Sequence, residues 1–285
     1  MRLFPAWARE LDLGDVRLVG CDLPIHAEPR RYREVVERIK GDPLELGALV
    51  TTHKIDLFEA CRDLFDGVDE YAELCSETSC LAKRDGRLWA FATDPVSSGR
   101  TLAEFYPAPS QAEVLCLGAG GSATAISVNL MQQDNVSRIT VVSRTNHRLE
   151  AMRAIHARLG SRTRVTYVEN SDPRVNDRLV ANLPPGSLVI NATGMGKDTP
   201  GSPITGEARF PEGGYVWELN YRGELEFLRL AESQTTIRHL HVEDGWRYFI
   251  HGWAAVMAQV FEIDFDRERI DRMAAVSEPM RPKRS

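Results

Sequence analysis

The chain has 285 residues, 43% of them hydrophobic and 27% charged, with a net charge of −6. That length closes a full core without metal or disulfide staples, and that composition excludes a disordered chain. The acidic balance excludes a general nucleic-acid binder, whose affinity rests on neutralised phosphates.

From the N-terminus, "MRLFPAWARELDLGD" is too charged, and its apolar run too short, for a signal segment. Nowhere does the chain offer the roughly 18–20 apolar residues of a membrane span. Cys21, Cys61, Cys75, Cys80 and Cys116 are odd in number and lack zinc spacing. They read as reduced thiols in a soluble, cytoplasmic protein with no metal site and no membrane or nucleic-acid partner.

"DVRLVGC", residues 15–21, reads as a first strand. In "PRRYREVVERIKG", Pro29 suits a first helical turn, and Tyr32, Val35, Val36 and Ile39 form an apolar stripe. "LGALVTTHK" reads as a short strand that ends in His53-Lys54, either at a reaction site or simply where the strand reaches solvent. "KIDLFEACRDLFDGVD" reads as a helix with Leu57, Ala60, Cys61 and Leu64 inward. Asp85-Gly86 between two alternating runs predicts a hairpin.

"YPAPSQAE", residues 106–113, reads as a linker, and the pattern then changes. Strands in "EVLCL", "SRITVVS", "RVTYVEN", "SLVIN" and "YVWEL" alternate with helical stretches, which predicts a parallel sheet. "WRYFIHGWAAVMAQVFEI" is an apolar helix, and the tail "SEPMRPKRS" is expected to fray.

"VLCLGAGGSA" sets Gly118, Gly120 and Ala123 in a G-x-G-x-x-A pattern between a strand and a helix. The first glycine permits the tight turn, the second admits a pyrophosphate to the backbone, and Ala123 lets helix and strand pack closely. The helix N-terminus offers free N–H groups to phosphate, so Gly118, Ala119, Gly120, Gly121, Ser122 and Ala123 are candidate cofactor contacts. The next strand ends in Ser143, Arg144 and Thr145, with Arg148 one turn on. No carboxylate stands there to take a ribose hydroxyl, and arginine forks match a 2′-phosphate. NADP(H) is the expected cofactor. The alternative is a pair of solvated arginines at a helix start.

"GALVTTHK", "FATD", the glycine turn with "SRTNHR", "NATGMG", "WELNY" and "DGWRYFIHG" stand in one order. Over roughly residues 15–263 the chain resembles the shikimate dehydrogenase superfamily. The resemblance implies an α/β fold with a cleft between two domains. A substrate domain, 1–105, would be completed by C-terminal helices in 245–275, and a Rossmann-type NADP-binding domain would span 106–244. It implies an NADP-dependent dehydrogenase or reductase acting on a ring hydroxyl or ketone. Lys54 and Asp94 match the family's catalytic pair, although Asp94 alone reads equally as a turn residue before Pro95. Thr193, Gly194, Met195, Leu219 and Gly245 match positions beside the nicotinamide. Thr51 and Tyr221 match substrate-side positions.

The departures lie in the substrate pocket. The family's H-S-x-S-P serine pair is replaced by His26, Ala27, Glu28 and Pro29; its asparagine by Ser79; its helix glutamine by Gly252. Losing those donors implies a substrate other than shikimate. True shikimate or quinate dehydrogenase and a non-catalytic NADP(H) sensor remain the alternatives. Arg30 or Arg31 either replaces the serine pair or is an exposed helix residue. Trp246, Tyr248 and His251 either wall the pocket, with Tyr248 a candidate substrate contact, or pack as core. Assembly as a homodimer stays open.

Overall fold

The computed structural model describes residues 3–109, 112–197 and 199–284. Ser110 and Gln111 of the expected linker, Met1 and Arg2 of the N-terminal segment and Ser285 of the tail lie outside the described residues. The chain divides into two compact units, Met1–Ser97 with Ile250–Arg281, and Ser98–Phe249 with Pro282–Ser285.

The first unit begins with α1 (Leu3–Glu10) and α2 (Pro29–Gly41). β1 (Gly47–Leu49), α3 (Lys54–Cys61), β2 (Gly67–Val68) and α4 (Glu70–Cys75) follow. β3 (Cys80–Arg84), β4 (Arg87–Phe91) and the start of α5 (Asp94–Phe105) complete its N-terminal part. The four strands form one sheet in the order β1-β3-β4-β2. Its centre is the β3–β4 hairpin, closed by Asp85 (φ 48°) and Gly86 (φ 74°), two successive positive φ angles that match the strand twist. Pro29 opens α2 as expected, and Tyr32, Val36 and Ile39 pack with Leu57, Phe58 and Cys61 of α3 over Leu81, Leu88 and Ala90 of the sheet.

Residues 15–21 are not a strand. Val16 and Leu18 alternate as strand residues do, but Val19 is 69% exposed and the segment joins no ladder. A strand needs a hydrogen-bonded neighbour, and three apolar residues split between two faces do not supply the burial that would hold one.

The second unit is a parallel sheet. β5 (Val114–Leu117), α6 (Gly121–Gln133), β6 (Arg138–Ser143), α7 (Asn146–His156) and β7 (Arg164–Glu169) form one half. α8 (Pro173–Ala181), β8 (Leu188–Asn191), β9 (Tyr215–Glu218), α9 (Glu226–Glu232), α10 (Thr235–Arg238) and β10 (His241–Glu243) form the other. The order is β10-β9-β8-β5-β6-β7, every pair parallel. Counted from β5, this is the doubly wound order 3-2-1-4-5-6, which reverses direction between β5 and β8. β5 and β8 are buried along their whole length, as strands covered on both faces must be. Val114, Cys116, Ile190 and Trp217 face Ala123, Ile126 and Leu130 of α6. Leu115, Leu117 and Val189 face Val180 of α8 and Phe227 of α9.

α11 (Gly245–Phe261) begins in this unit and ends in the first, where it is followed by α12 (Arg267–Ser277). There Trp7 of α1 packs on Trp253 and donates to Ser277 Oγ at 2.7 Å. The tail is not frayed where it is described. Glu278–Met280 form a 3-10 turn, and Arg284 donates to Glu232 (2.7 Å) and Asp244 (3.0 Å). Among the described residues no helix is long and apolar enough to cross a membrane, and no cluster of His, Cys, Asp and Glu has the make-up of a metal site.

Candidate active site

β1 ends at Leu49, and Val50 extends its pairing by donating to the Ser79 carbonyl at 2.9 Å. Thr51 and Thr52 then form an exposed turn, with His53 at the N-cap of α3. Lys54 is thus the first residue of a helix, not the end of a strand. A cation there opposes the positive end of the helix dipole, so helix stability does not explain the choice. Its Nζ donates to Oδ2 of Asp94, which opens α5 and so sits at the helix end that favours an anion. The two side chains are only 21% and 15% exposed.

A third ionisable group completes the cluster. Glu77 lies between α4 and β3 and is 5% exposed. The next residue's amide, Thr78 N–H, donates to the Lys54 carbonyl at 3.1 Å. Burial pushes the Glu77 carboxyl up to about 7, against the pull of Lys54 and with the push of Asp94. Burial by itself would lower Lys54, but the charges of Asp94 and Glu77 and the hydrogen bond to Asp94 leave it raised. Lys54 is therefore an ammonium at neutral pH, able to donate a proton or stabilise a developing oxyanion.

Ser79 is 1% exposed and bound internally: its hydroxyl meets Thr93 Oγ1 at 2.9 Å and accepts from Thr93 N–H at 2.7 Å. Arg30 and Arg31 are exposed on α2, both directed to Glu34 at 2.9 and 3.9 Å. His53 Nδ1 lies 3.1 Å from the Tyr32 hydroxyl, which also donates to Asp56 (3.3 Å).

In the second unit, Gly118 takes φ 115°, and a Cβ there would lie 2.5 Å from the Ala192 carbonyl oxygen. Only glycine fits that turn. Ala119 and Ala123 are buried beneath it. Gly120 is the N-cap of α6, Gly121 is its exposed first residue and Ser122 is half-buried beside it. At Gly120 an added Cβ would meet only Arg148 Nη1, at 3.7 Å. The turn is thus open on the side where Arg148 stands, as a backbone that receives a phosphate must be. Ser143 ends β6 and accepts from Thr145 N–H at 3.3 Å. Thr145 caps α7, and Arg144 and Arg148 are exposed, with no ion pair among the described residues.

The segment after β8 is held by a chain of hydrogen bonds. Glu218 accepts from Asn191 Nδ2 (2.6 Å) and Asn220 N–H (2.7 Å). Asn191 Oδ1 accepts from the Thr193 amide and hydroxyl (3.1 and 2.7 Å), and Met195 N–H donates to Thr193 Oγ1 (3.1 Å). Gly194 supplies a positive φ of 75° in this bend. Asn220 Nδ2 ties Met195 O to the end of β9 at 3.0 Å. At Gly245 a Cβ would fall 1.9 Å from the Leu219 carbonyl oxygen, so two of the expected cofactor positions touch backbone to backbone. Tyr221 packs on Trp246 and Phe249, and Tyr248 sets its edge on Trp217. Trp246 is 4% exposed and Tyr248 joins the sheet's core cluster, so both pack as core in this unit.

No family model matches the chain. The NADP(+) shikimate dehydrogenase of Streptococcus gordonii is 31% identical over 173 residues, covering 59% of this chain and 58% of that protein. The counterpart from Symbiobacterium thermophilum is 30% identical over 195 residues, 67% of this chain and 65% of its own length. The chain is a divergent member of the shikimate dehydrogenase superfamily. It spans 58% of the length of the Streptococcus gordonii protein and 58% of that of the NADP(+) shikimate dehydrogenase of Streptococcus thermophilus. The crystal structure of 5-ketofructose reductase from Gluconobacter sp. strain CHM43 is 20% identical with a TM-score of 0.72, covering 98% of this chain and 92% of that one. At that identity the likeness shows the fold alone.

Within this superfamily member, sequence reasoning missed Glu77 and Glu218. "SETSC" offered no signal, because the burial of Glu77 arises only when the chain folds. Glu218 lies in "WELNY", where an acid in a run of apolar strand residues marks a buried, hydrogen-bonded carboxyl.

Proposed function

We propose that the chain is an NADP-dependent oxidoreductase that interconverts a ring hydroxyl and a ketone, on a substrate other than shikimate. The Lys54–Asp94 pair carries the reading. It is a partly buried ammonium held by a carboxylate, in a chain that also builds an open glycine turn beside Arg148. The superfamily relatives named NADP(+) shikimate dehydrogenase support it.

The turn fits a dinucleotide: Gly120 leaves the N-terminus of α6 uncovered for a pyrophosphate. Arg144 and Arg148, with Ser143 and Thr145, would hold a 2′-phosphate. Thr193, Gly194, Met195, Leu219 and Gly245 would flank the nicotinamide. When bound, NADPH supplies a hydride to the carbonyl carbon. Lys54 donates a proton to the carbonyl oxygen as that charge develops, giving the alcohol, and recovers a proton from solvent. Asp94 orients the ammonium and accepts from a substrate hydroxyl; Thr51 in the first unit and Tyr221 in the second are each candidate substrate contacts. Catalysis rests mainly on positioning.

The five free cysteines support a reducing, cytoplasmic setting. Assembly as a homodimer is a separate reading, checked by light scattering on the purified chain. The activity test is NADPH oxidation against cyclic ketones and keto acids, with dehydroshikimate included. Turnover that prefers NADPH to NADH and collapses in Lys54→Ala supports the reading. A normal rate on dehydroshikimate would identify a true shikimate dehydrogenase, and cofactor binding without any turnover would identify a sensor.

A further inference from the structure

The bend after β8 lies where a parallel sheet of this order takes its ligand. The strand order reverses between β5 and β8, and such sheets bind ligands beyond the strand ends at that point. The glycine turn leaves β5 there, and residues 192–195 leave β8. The two segments are in contact, since a Cβ on Gly118 would lie 2.5 Å from the Ala192 carbonyl oxygen. One carboxyl anchors the bend. Glu218 and Asn191 are both fully buried and stand opposite each other in the β8–β9 register.

The hydrogen bonds of the bend run one way. Thr193 N–H is a fixed donor, and it points at Asn191 Oδ1 (3.1 Å), which also accepts from the Thr193 hydroxyl (2.7 Å). The Thr193 oxygen is left to accept from Met195 N–H (3.1 Å). With its oxygen turned to Thr193, Asn191 has only its Nδ2 to offer Glu218 Oε2, at 2.6 Å. The other carboxyl oxygen, Oε1, takes a second fixed donor, Asn220 N–H, at 2.7 Å. Asn220 Nδ2 in turn holds the Met195 carbonyl at 3.0 Å. Both Glu218 oxygens must therefore accept, and an amide in their place would turn its NH2 to a donor whichever way it lay. We propose that Glu218 is a positioning residue for the cofactor, whose two carboxylate oxygens fix the direction of this relay and so preset the 192–195 bend for the nicotinamide half of NADP(H). This rests on the NADP-binding reading above and adds the group that orders that part of the site.

The test is calorimetric affinity at pH 8, above the value of about 7 to which burial pushes the Glu218 carboxyl. The ligands are NADP+ and adenosine 2′,5′-bisphosphate, which lacks the nicotinamide half. Glu218→Gln is expected to weaken NADP+ by about tenfold, the scale of one mispaired buried hydrogen bond, and to leave the bisphosphate within about twofold. Adding Asn191→Asp turns the opposing donor into an acceptor for the new amide, while the second Asp oxygen still accepts from Thr193. The double variant is therefore expected to recover most of the lost NADP+ affinity. A merely structural Glu218 would weaken both ligands alike, and its loss would not be rescued. Equal loss of both ligands, loss of neither, or a double variant no tighter than the single one overturns the inference while NADP binding stands. Should the variants fail to fold, amide hydrogen exchange of the cofactor-free wild type decides. Thr193 and Met195 N–H are expected to be protected by about tenfold or more over an unstructured chain, and exchange at the unstructured rate overturns the inference. A wild type that binds neither ligand overturns the NADP reading, and this inference with it.

Discussion

The glycine turn of the second unit and the Lys54 cluster of the first are made of different materials. The turn is backbone: one φ of 115° at Gly118, one open N-cap at Gly120, and a carbonyl at Ala192 that leaves no room for a Cβ. The cluster is side chains, brought from the start of α3, the start of α5 and the connection before β3. Steric exclusion fixes the first at Gly118, where any side chain would collide with the Ala192 carbonyl, while Gly120 stays open. The second rests on side-chain contacts such as Lys54 to Asp94, which a single substitution changes while the sheet behind it stays as it is.

That contrast can be broken in several places. The largest effect is expected from Lys54→Ala. It should lower kcat by roughly 10³-fold, the worth of a positioned proton donor, with NADPH affinity unchanged by fluorescence titration. Equal loss of cofactor binding would show that the two regions are not separable. Gly118→Ala should cost about 2–3 kcal/mol of stability in a denaturant melt, because φ is positive and the Ala192 carbonyl oxygen lies 2.5 Å from the new Cβ.

Glu218 gives the same unit a pH dependence. Burial raises its carboxyl from 4.5 to about 7, against the hydrogen bonds from Asn220 and Asn191. The folded state holds a proton that the unfolded chain releases. Its contribution is full below about pH 4.5 and is lost as the pH rises through about 7, at about 1.4 kcal/mol per pH unit. Glu218→Gln should flatten that fall, measured as denaturant stability at pH 5 and pH 8. A wild type equally stable at both would refute it. Arg148→Ala should weaken NADPH binding by about tenfold and leave NADH unchanged, the worth of one arginine–phosphate contact. Arg30→Ala should change neither stability by more than about 0.5 kcal/mol nor KM, since surface ion pairs contribute little.

The second unit was the more legible in the sequence. Its strands read as apolar runs because both faces of β5 and β8 are covered, and Gly118, Gly120 and Ala123 declared the turn. β10 escaped notice because three residues, only one of them partly buried, carry no periodic signal. In the first unit, Asp85-Gly86 declared its hairpin, but residues 15–21 looked like a strand and pair with nothing. Lys54 and Asp94 were singled out through resemblance, being 40 positions apart with no local pattern linking them. Glu77 was invisible because a glutamate in a short connection is ordinarily solvated. Only its burial beside Lys54 gives it meaning.

The central claim is that this chain moves a hydride onto a carbonyl carbon beside Lys54. It is tested most directly by incubating the wild type with NADPH deuterated at the transferring C4 position and a panel of uncharged and acidic ketones. The account predicts deuterium on the carbinol carbon of at least one product, and none in the Lys54→Ala reaction over the same period. Bound cofactor with no deuterium in any product, or full transfer without Lys54, would contradict it.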